Sequence, residues 1–321
     1  MVISNRKDEH IKYAKQLNIK SNDFDDIKID HDSLPDFDLD EINLNADFLG
    51  FNIPYPFYIN AMTGGSEKAY EINQKLAYYA NHFNIPMVLG SQSAALKDET
   101  LVNSYQIVRK INPNGIVIAN LNLNYPSEAA LKAIEMVNAD GLSLHLNPIQ
   151  ELIMAEGDRS FKVWHENLID ILINVKKPIL VKEVGFGMSE KTIEKLLNYG
   201  VEFIDVSGTG GTNFAQIERF RNASDNTTFD DLGISTVESI KNARKLTNQF
   251  YASGGIRNAN DIFKALYLGA SAVGLSKFFL TLTSLSNVEA ICKIQELIDD
   301  LKKLFLIYGF KDIAAIRNRG N

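Results

Sequence analysis

Short apolar segments recur along most of this chain, and they constrain its fold more than any other feature. Each is followed by polar or glycine residues and then by a stretch whose apolar positions have helical spacing. Segments that are apolar throughout and separated by helices are typical of a parallel sheet covered on both faces. The strand-like segments lie at residues 57–61, 87–89, 115–119, 141–144, 179–181, 203–206, 250–252 and 272–275. Eight such units predict a (β/α)8 TIM barrel, and the absence of an early G-x-G-x-x-G turn disfavours a doubly wound sheet.

The composition restricts the function classes. The chain has 321 residues, of which 45% are hydrophobic and 23% charged, and its formal net charge is −7. An acidic chain lacks the basic face that nucleic acids and anionic membranes require, so neither partner is expected. The start, MVISNRKDEH, has no apolar signal-peptide core and no apolar run reaches membrane-spanning length, which predicts a cytoplasmic protein. The single cysteine, Cys292, lies within a helical apolar pattern and is expected in the core.

Residues 1–52 differ from the rest and are predicted to form an extension that acts as a lid on a barrel at 53–321. Between residues 20 and 47, Asp and Asn are frequent and large apolar residues are few, which favours loops and short strands. A local basic cluster precedes this stretch and consists of Arg6, Lys7, His10 and Lys12. Such a cluster is typical of a solvated terminus, and the alternative is a phosphate clamp over the barrel mouth.

Polar residues and glycines follow the predicted strands at the end where barrel enzymes carry their active sites. After the seventh strand, Gly254 and Gly255 would let backbone N–H groups approach a ligand, and Ser276 and Lys277 follow the eighth. Together these positions predict a phosphate site, although a glycine pair is also common in a plain tight turn. The segment SGTGGT at 207–212 would offer hydroxyls and amides to a planar polar ring, with a flexible loop as the alternative.

Lys182 directly follows a buried strand segment, where an ammonium group is costly unless it has a partner. One interpretation is that it reaches solvent or pairs with Glu183. The functional alternatives are a Schiff base, a general base, or a fixed positive charge beside an anionic cofactor.

The segment HLNPIQE at 145–151 follows the fourth predicted strand. An imidazole, two amides and a carboxylate therefore leave one strand end together, and Pro148 stops any continuation of the sheet. Core packing does not require four polar groups at such a point. They predict a site for a polar ligand and a divalent ion.

Seven segments, taken in chain order, resemble one family. They are RKDEH at 6–10, AMTGG at 61–65, GSQ at 90–92, HLNPIQE at 145–151, VKEVG at 181–185, DVSGTGGT at 205–212 and SGGIR at 253–257. The resemblance is to the type II isopentenyl-diphosphate isomerases, which are FMN-dependent barrel enzymes, and it covers nearly the whole chain. It implies interconversion of isopentenyl and dimethylallyl diphosphate with reduced FMN, Mg²⁺ and NADPH as reductant. It also implies a homo-oligomer, either a tetramer or an octamer.

The resemblance implies a role for individual residues of this chain. The flavin ring and ribityl chain would contact Met62, Thr63, Gly64, Ser91, Asn120, Lys182, Ser207 and Thr212. The flavin phosphate would contact Gly255, Ile256, Arg257, Ser276 and Lys277. The diphosphate substrate would contact Arg6, Lys7, His10, Ser91, Ser93, His145, Asn147 and Gln150. Mg²⁺ would bind Glu151, and the expected catalytic residues are Lys182, Gln150 and His145.

The residues named above include no pair of carboxylic acid or cysteine side chains for proton transfer. Our hypothesis is that reduced FMN itself carries the proton and that Gln150 orients the reacting groups. The chain departs from the family in two places: Ser93 stands where many members have a basic or larger residue, and 229–236 lacks the usual Trp and Pro. The alternatives are an FMN barrel oxidoreductase of the 2-hydroxy acid oxidase or dihydroorotate dehydrogenase type, and a flavin-binding barrel without catalytic activity.

Overall fold

Eight parallel strands form a closed barrel in the computed structural model, which describes residues 3–16 and 22–318. The strands are β1 Ala46–Phe48, β2 Phe51–Ile53, β3 Phe57–Ile59, β4 Met87–Val88, β5 Val117–Asn122, β6 Gly141–Leu146, β7 Ile179–Glu183, β8 Phe203–Asp205, β9 Ala252–Ser253 and β10 Val273–Leu275. Strands β3 to β10 pair in the order β8-β7-β6-β5-β4-β3-β10-β9. A parallel bridge between Asp205 and Tyr251 joins β8 to the start of β9 and closes the ring. The predicted (β/α)8 barrel is confirmed.

The helices fall into two groups, one flanking the barrel and one at its carboxyl end. The flanking helices are α2 Glu67–Phe83, α4 Asn103–Ile111, α5 Ser127–Met136, α7 Val163–Asn174, α8 Glu190–Asn198, α10 Thr236–Arg244, α11 Ala259–Tyr267 and α13 Asn287–Ile307. Short helices follow the ends of four strands: α3 Ser93–Lys97, α6 Pro148–Ile153, α9 Phe214–Arg221 and α12 Lys277–Leu282. Helices α1 Ile3–Gln16 and α14 Ile313–Asn318 lie near the chain ends. Within 3–16 and 22–318, no helix combines the length and apolarity that crossing a membrane requires.

Helix α2 shows how the flanking elements form. The Ser66 side chain accepts a hydrogen bond from the Ala69 amide and caps the first turn, and Asn84 ends the helix in a left-handed conformation. Ile72 and Leu76 are buried four residues apart, as expected for the face that packs on the strands. Burial of this apolar stripe, rather than helix propensity, accounts for most of the stability of such a helix.

The N-terminal extension divides between the two ends of the barrel. Helix α1 lies at the carboxyl end, as a lid would, whereas the β1–β2 hairpin closes the opposite end. There the Phe48 ring lies 4.5 Å from the ring of Tyr58 and 5.1 Å from that of Tyr251. The Leu49 amide donates to the Tyr251 hydroxyl at 2.7 Å. Of the stretch 20–47, the described residues 22–47 contain only the short 3-10 turns Asp23–Asp26 and Leu39–Glu41 and the start of β1, in keeping with the prediction of loops and short strands.

The expectation that Cys292 is a core residue is wrong, because its side chain is exposed. The buried positions of α13 include Ala290, Ile294 and Leu297. Cys292 lies two residues from Ala290 and from Ile294, which is about 200° around a helix of 3.6 residues per turn. It therefore faces away from the packed side of α13.

Candidate active site

A cavity of about 670 Å³ opens at the carboxyl end of the barrel, beneath helix α1. All but two of the predicted site residues line it. They are Arg6, Lys7, His10, Met62, Ser91, Ser93, Asn120, His145, Asn147, Gln150, Glu151, Lys182, Ser207, Thr212, Gly255, Ile256, Arg257, Ser276 and Lys277. The structure thus brings the seven sequence segments to one place.

Thr63 and Gly64 are the two predicted residues that lie outside the cavity wall. Thr63 is 1% exposed, and its backbone lies against Gly90, where an added Cβ would meet the Thr63 carbonyl oxygen at 2.4 Å. A Cβ on Gly64 would lie 2.0 Å from the ring of Tyr105. Both residues therefore pack on the side of the 61–65 turn that faces away from the cavity, and Met62 is the residue of the two flanking positions that lines it.

The glycine turns after β8 and β9 lie backbone against backbone. Gly254 and Gly255 have φ values of +92° and +74°, which favour glycine. An added Cβ would lie 2.1 Å from the Gly208 carbonyl oxygen at Gly254, and 2.6 Å from the Gly210 carbonyl oxygen at Gly255. Asn22 donates to the Gly255 carbonyl oxygen at 2.7 Å, a contact that sequence reasoning missed. The turn is therefore built for close approach of backbone, as a phosphate cradle requires.

Arg257 contributes to this cradle differently from the prediction. Its guanidinium contacts Asp261 at 2.8 Å and Asp25 at 2.5 Å, and these two carboxylates hold its pKa above the usual range. Its charge is already balanced, so the side chain anchors the turn to α11 and to the 3-10 turn at Asp23–Asp26. Lys277, the first residue of α12, also lines the cavity, and burial lowers the pKa of its amine.

Lys182 is buried beside a carboxylate that was not anticipated. Its ammonium donates to the Glu183 carbonyl oxygen at 2.6 Å, and its strand partner on β8 is Asp205. Burial lowers the pKa of Lys182, whereas the charges of Asp205 and Glu183 oppose that shift. The Glu183 carboxylate instead accepts three backbone N–H bonds, from residues 184–186, at 2.5–2.7 Å. Burial nevertheless raises the pKa of Glu183 to about 7. Lys182 is 4% exposed, so it does not reach solvent, and its ammonium contacts the Glu183 carbonyl oxygen and not the Glu183 carboxylate. Neither form of that interpretation is supported.

Asp205 is fully buried and held by four neighbouring groups. It accepts hydrogen bonds from the Tyr58 hydroxyl at 2.7 Å, Asn60 at 3.2 Å, the Ser253 hydroxyl at 2.8 Å and the Ser207 amide at 3.1 Å. These four donors satisfy the buried carboxyl group. Asp205 lies beside Lys182 in the pairing of β7 with β8, and its charge acts to raise the pKa of Lys182. In the sequence, a carboxylate at the end of a buried strand segment could have marked it.

The hydrogen bonds of His145 identify its tautomer. Asn120 donates its amide N–H to the Leu89 carbonyl oxygen at 2.8 Å, so its Oδ1 faces His145 Nδ1 at 2.9 Å. Nδ1 must then carry the hydrogen, and Nε2 is left as an acceptor. Burial, with the charges of Lys182 and Lys7, lowers the pKa of His145 to about 3. His145 is therefore a neutral acceptor near pH 7 and a poor proton donor.

Asn147 and Glu151 lie against each other at the start of α6. Pro148 begins this helix, as its fixed φ favours. Asn147 Nδ2 donates to Glu151 Oε1 at 2.9 Å and to Gln150 Oε1 at 3.3 Å. Asn147 Oδ1 is buried and has no hydrogen-bond partner among the described residues. A carboxylate beside an unsatisfied amide oxygen is a hard-oxygen donor set of the kind that Mg²⁺ prefers.

No cluster of three or more His, Cys, Asp or Glu side chains able to hold a metal occurs in the part of the chain that the structure describes. A metal at Glu151 would therefore depend on one carboxylate, on amide oxygen and on oxygens of the ligand, which is common for Mg²⁺.

Helix α1 carries basic side chains into the cavity. Lys7 is half-buried in the cavity wall, and desolvation together with the charge of Arg6 lowers its pKa to about 8. His10 Nε2 lies 2.8 Å from Glu218 Oε1, which also accepts a 3.4 Å hydrogen bond from Gln150. Glu218 is fully buried, and nothing in the sequence marked it as part of the site. The basic cluster is thus an ordered part of the site, except for Lys12, which is exposed and does not line the cavity.

An apolar wall completes the cavity and was also missed from the sequence. It includes Ile11 of α1, Met154 after α6, Phe214 and Ile217 of α9, and Leu280 of α12. The Phe214 ring meets the His10 ring edge-on at 5.8 Å between centroids. Such a wall excludes water from whatever lies between α1 and the strand ends.

Comparisons with known proteins agree with the barrel and with the resemblance. The family model described as FMN-dependent dehydrogenase matches residues 143–320. Solved structures with the same fold include a flavocytochrome b2 variant with pyruvate bound and an (S)-mandelate dehydrogenase variant. The first has a TM-score of 0.69 at 17% identity and covers 99% of this chain and 78% of that chain. The second has a TM-score of 0.68 at 19% identity and covers 97% of this chain and 90% of that chain. At these identities the likeness concerns the fold alone.

Curated relatives are much more similar in sequence. A protein of Listeria innocua serovar 6a named isopentenyl-diphosphate delta-isomerase is 42% identical and covers 97% of this chain and 89% of its own length. A protein of the same name from Streptococcus mutans serotype c is 43% identical, and the match covers 98% of this chain and 96% of that protein's length. Matches of this identity extend over nearly the full length of the chain. The chain therefore belongs to the isopentenyl-diphosphate delta-isomerase family of FMN-dependent barrel proteins.

Proposed function

We propose that this protein interconverts isopentenyl and dimethylallyl diphosphate by a 1,3-allylic proton shift, with FMN at the barrel mouth and Mg²⁺ on the substrate diphosphate. The observation that carries the proposal is a shared cavity. Arg6 and Lys7 of α1, the oxygens of Asn147 and Glu151, and the glycine turn after β9 all line it. The glycine turn would bind the flavin phosphate. The basic residues of α1 and the metal-binding oxygens would bind a second anion, the substrate diphosphate.

The residues present fit FMN. Side chains at Gly254 and Gly255 would collide with the backbone of Gly208 and Gly210, so only glycine lets these two turns pack closely at the cavity wall. Met62, Ser91, Asn120, Lys182, Ser207 and Thr212 would hold the ring and ribityl chain, and Gly255, Ile256, Ser276 and Lys277 the phosphate. Reduced FMN, when bound, supplies an electron-rich ring and the proton that the side chains lack. The Lys182 ammonium would stabilise negative charge on that ring by direct Coulomb attraction.

The residues also fit Mg²⁺ with a diphosphate. Asn147 Oδ1 is buried without a partner, and a metal ion would satisfy it together with the Glu151 carboxylate. Arg6 and Lys7 add positive charge at the same mouth. Burial lowers the pKa of Lys7 to about 8, and a bound anion would raise that pKa again by stabilising the charged form. Ser93, hydrogen-bonded to Ser91 at 3.1 Å, would offer a hydroxyl where larger basic residues occur in the family.

The side chains orient a substrate and exclude water, but they offer no acid of suitable strength. Glu151 is the one carboxylic acid among the described residues that line the cavity, and we assign it to the metal. His145 is neutral and accepts hydrogen bonds, and Gln150 is an amide tied to Glu218 at 3.4 Å. Gln150 would therefore orient the alkene, and the apolar wall would shield a developing carbocation from water.

A flavin-dependent 2-hydroxy acid dehydrogenase is the alternative, and the geometry disfavours it. Oxidation of a hydroxy acid requires a base that takes up a proton near neutral pH. The pKa of His145 is lowered to about 3, so it binds protons poorly. Such an enzyme also has no need for the Asn147–Glu151 oxygens or for the basic residues of α1.

Incubation of the FMN-loaded protein with isopentenyl diphosphate, Mg²⁺ and NADPH tests the proposal. Dimethylallyl diphosphate should accumulate while NADPH is consumed only in the amount that reduces the flavin. Samples with oxidised FMN and no reductant are the control and should be inactive. NADPH consumption in step with product, or full activity with oxidised flavin, would contradict the proposal. Bound FMN without any conversion would favour a flavin-binding barrel.

A further inference from the structure

The turn that follows α6 is closed by a single arginine. Arg159 Nη1 donates to the carbonyl oxygens of Glu151 at 2.5 Å and Gly157 at 2.7 Å, and Nη2 donates to that of Met154 at 2.8 Å. A third bond from Nη1 reaches the Asp158 carbonyl oxygen at 3.2 Å. The bonds to Glu151 and Met154 satisfy carbonyl groups at the end of a six-residue helix, and those to Gly157 and Asp158 close the turn that follows it.

The closed turn holds the Glu151 carboxylate from both sides. Asp158 donates its backbone N–H to Glu151 Oε2 at 2.9 Å, and Asn147 donates to Oε1 at 2.9 Å. Gly157 leaves no room for a side chain, because its Cβ would lie 2.0 Å from the Glu151 carbonyl oxygen. Arg159 and Gly157 thus keep the Asp158 amide within reach of the carboxylate.

The far side of the turn is tied to the barrel. Trp164 Nε1 of α7 donates to Asn124 Oδ1 at 2.5 Å, and Asn124 Nδ2 in turn donates to Asp158 Oδ2. The turn is therefore anchored at Asp158 and closed at Arg159, and Glu151 is the side chain that this arrangement orients.

We propose that Arg159 is a positioning residue that fixes the Glu151 carboxylate for Mg²⁺ by closing the turn at 154–158. The inference rests on the proposed function, since it takes Glu151 as the metal ligand. Arg159 does not line the cavity, so it would act through Glu151 and not by contact with the metal or the substrate. Groups that orient a ligand in this way commonly change metal affinity by about 10- to 100-fold.

Binding of Mg²⁺ to the FMN-loaded enzyme, measured by calorimetry in the presence of inorganic pyrophosphate, tests this role. Arg159→Lys should weaken Mg²⁺ binding about tenfold while FMN content stays unchanged. Gly157→Ala disturbs the same turn from its backbone and should have the same effect, so the test holds even where Arg159→Lys folds poorly. In activity assays, excess Mg²⁺ should restore kcat in both variants, which a general loss of structure would not allow.

Arg109→Lys is the matched control. Arg109 also clamps backbone carbonyls, including those of Gly115 at 2.8 Å and Asn138 at 2.7 Å, but it lies near the opposite end of the barrel. Its variant should lose stability and keep wild-type Mg²⁺ affinity. Wild-type Mg²⁺ affinity in both turn variants would overturn the inference, as would a wild-type enzyme that takes up no Mg²⁺ with pyrophosphate. Weakened Mg²⁺ binding in an enzyme that forms no dimethylallyl diphosphate would support the inference and reject the proposed function.

Discussion

Substitution of Gly255 by alanine should weaken FMN binding by more than its effect on stability would explain. The residue has φ +74°, and a left-handed backbone costs an L-amino acid roughly 1–2 kcal/mol. In addition, the new Cβ would lie 2.6 Å from the Gly210 carbonyl oxygen and 2.8 Å from Asn22 Nδ2. The turn must shift to relieve these contacts, and its amides would leave the phosphate. Loss of one charge-assisted hydrogen bond, about 1.5–3 kcal/mol, corresponds to a roughly 10- to 100-fold higher Kd for FMN.

Gly200→Ala separates backbone strain from the effect on the cradle. Gly200 has φ +87° and no heavy atom within 4 Å of an added Cβ, so its variant carries the strain alone. Urea denaturation of the two apoproteins should give a loss in unfolding free energy from strain alone in Gly200→Ala and a larger loss in Gly255→Ala, where the added Cβ also meets backbone. Fluorescence titration with FMN should then show a raised Kd for Gly255→Ala only. Equal FMN affinity in both variants would refute the assignment of this turn to the flavin phosphate.

Three further perturbations test the other groups of the site. Lys182→Ala removes the buried ammonium and should lower flavin retention or activity by orders of magnitude, as absorbance spectra and product formation would report. His145→Gln tests the lowered pKa: in the fold His145 is neutral down to about pH 3, whereas unfolded histidine binds a proton below about pH 6.5. Wild-type stability should therefore fall as the pH drops from 6.5 towards 3, and the variant should lose less between pH 7 and pH 5 in urea denaturation. Glu218→Gln removes the charge that ties His10 and Gln150 together and should raise the KM for isopentenyl diphosphate roughly tenfold, with FMN affinity unchanged.

Each of these predictions has a control and an outcome that would contradict it. Lys264→Ala also removes a buried lysine, one that donates to the Phe24 carbonyl oxygen at 2.7 Å, and it should leave the flavin spectrum unaltered. Wild-type behaviour of Lys182→Ala would reject the role of a fixed charge. If wild type and His145→Gln lost the same unfolding free energy between pH 7 and pH 5, His145 would be protonated in the fold at pH 5. Loss of FMN in Glu218→Gln would show that Glu218 supports the barrel mouth in general and not the substrate side.

The strand ends explain why so much of the site could be predicted. In a (β/α)8 barrel the residues after each strand converge, so Lys182, Asn120 and Ser207 could be grouped before any distance was known. The Gly254–Gly255 pair was predicted from the backbone freedom that glycine alone provides. Mg²⁺, NADPH and the oligomeric state stay predictions: the oxygens of Asn147 and Glu151 fit Mg²⁺, whereas NADPH and the oligomeric state depend on the resemblance alone.

Contacts between distant segments could not be predicted in the same way. Glu218 lies on an amphipathic helix and carries no local pattern that distinguishes it from a surface carboxylate, yet it meets His10 across 208 residues of sequence. Asn22 reaches Gly255 across 233 residues. Cys292 was misplaced because apolar residues lie on both sides of it in the sequence, while only the packed face of α13 tells which of them are buried.

The sequence by itself determined the barrel, the glycine turn after its seventh strand and the family, because these depend on periodicity, on glycine and on short ordered motifs that are local properties of the chain. Only the tertiary structure decided the charge states and hydrogen-bond roles within the cavity. Three features depend on burial and on partners from other segments: the charge of Asp205 beside Lys182, the neutral state of His145, and the Arg159 turn that holds Glu151. Desolvation and long-range contacts set these properties, and neither is written in the order of neighbouring residues.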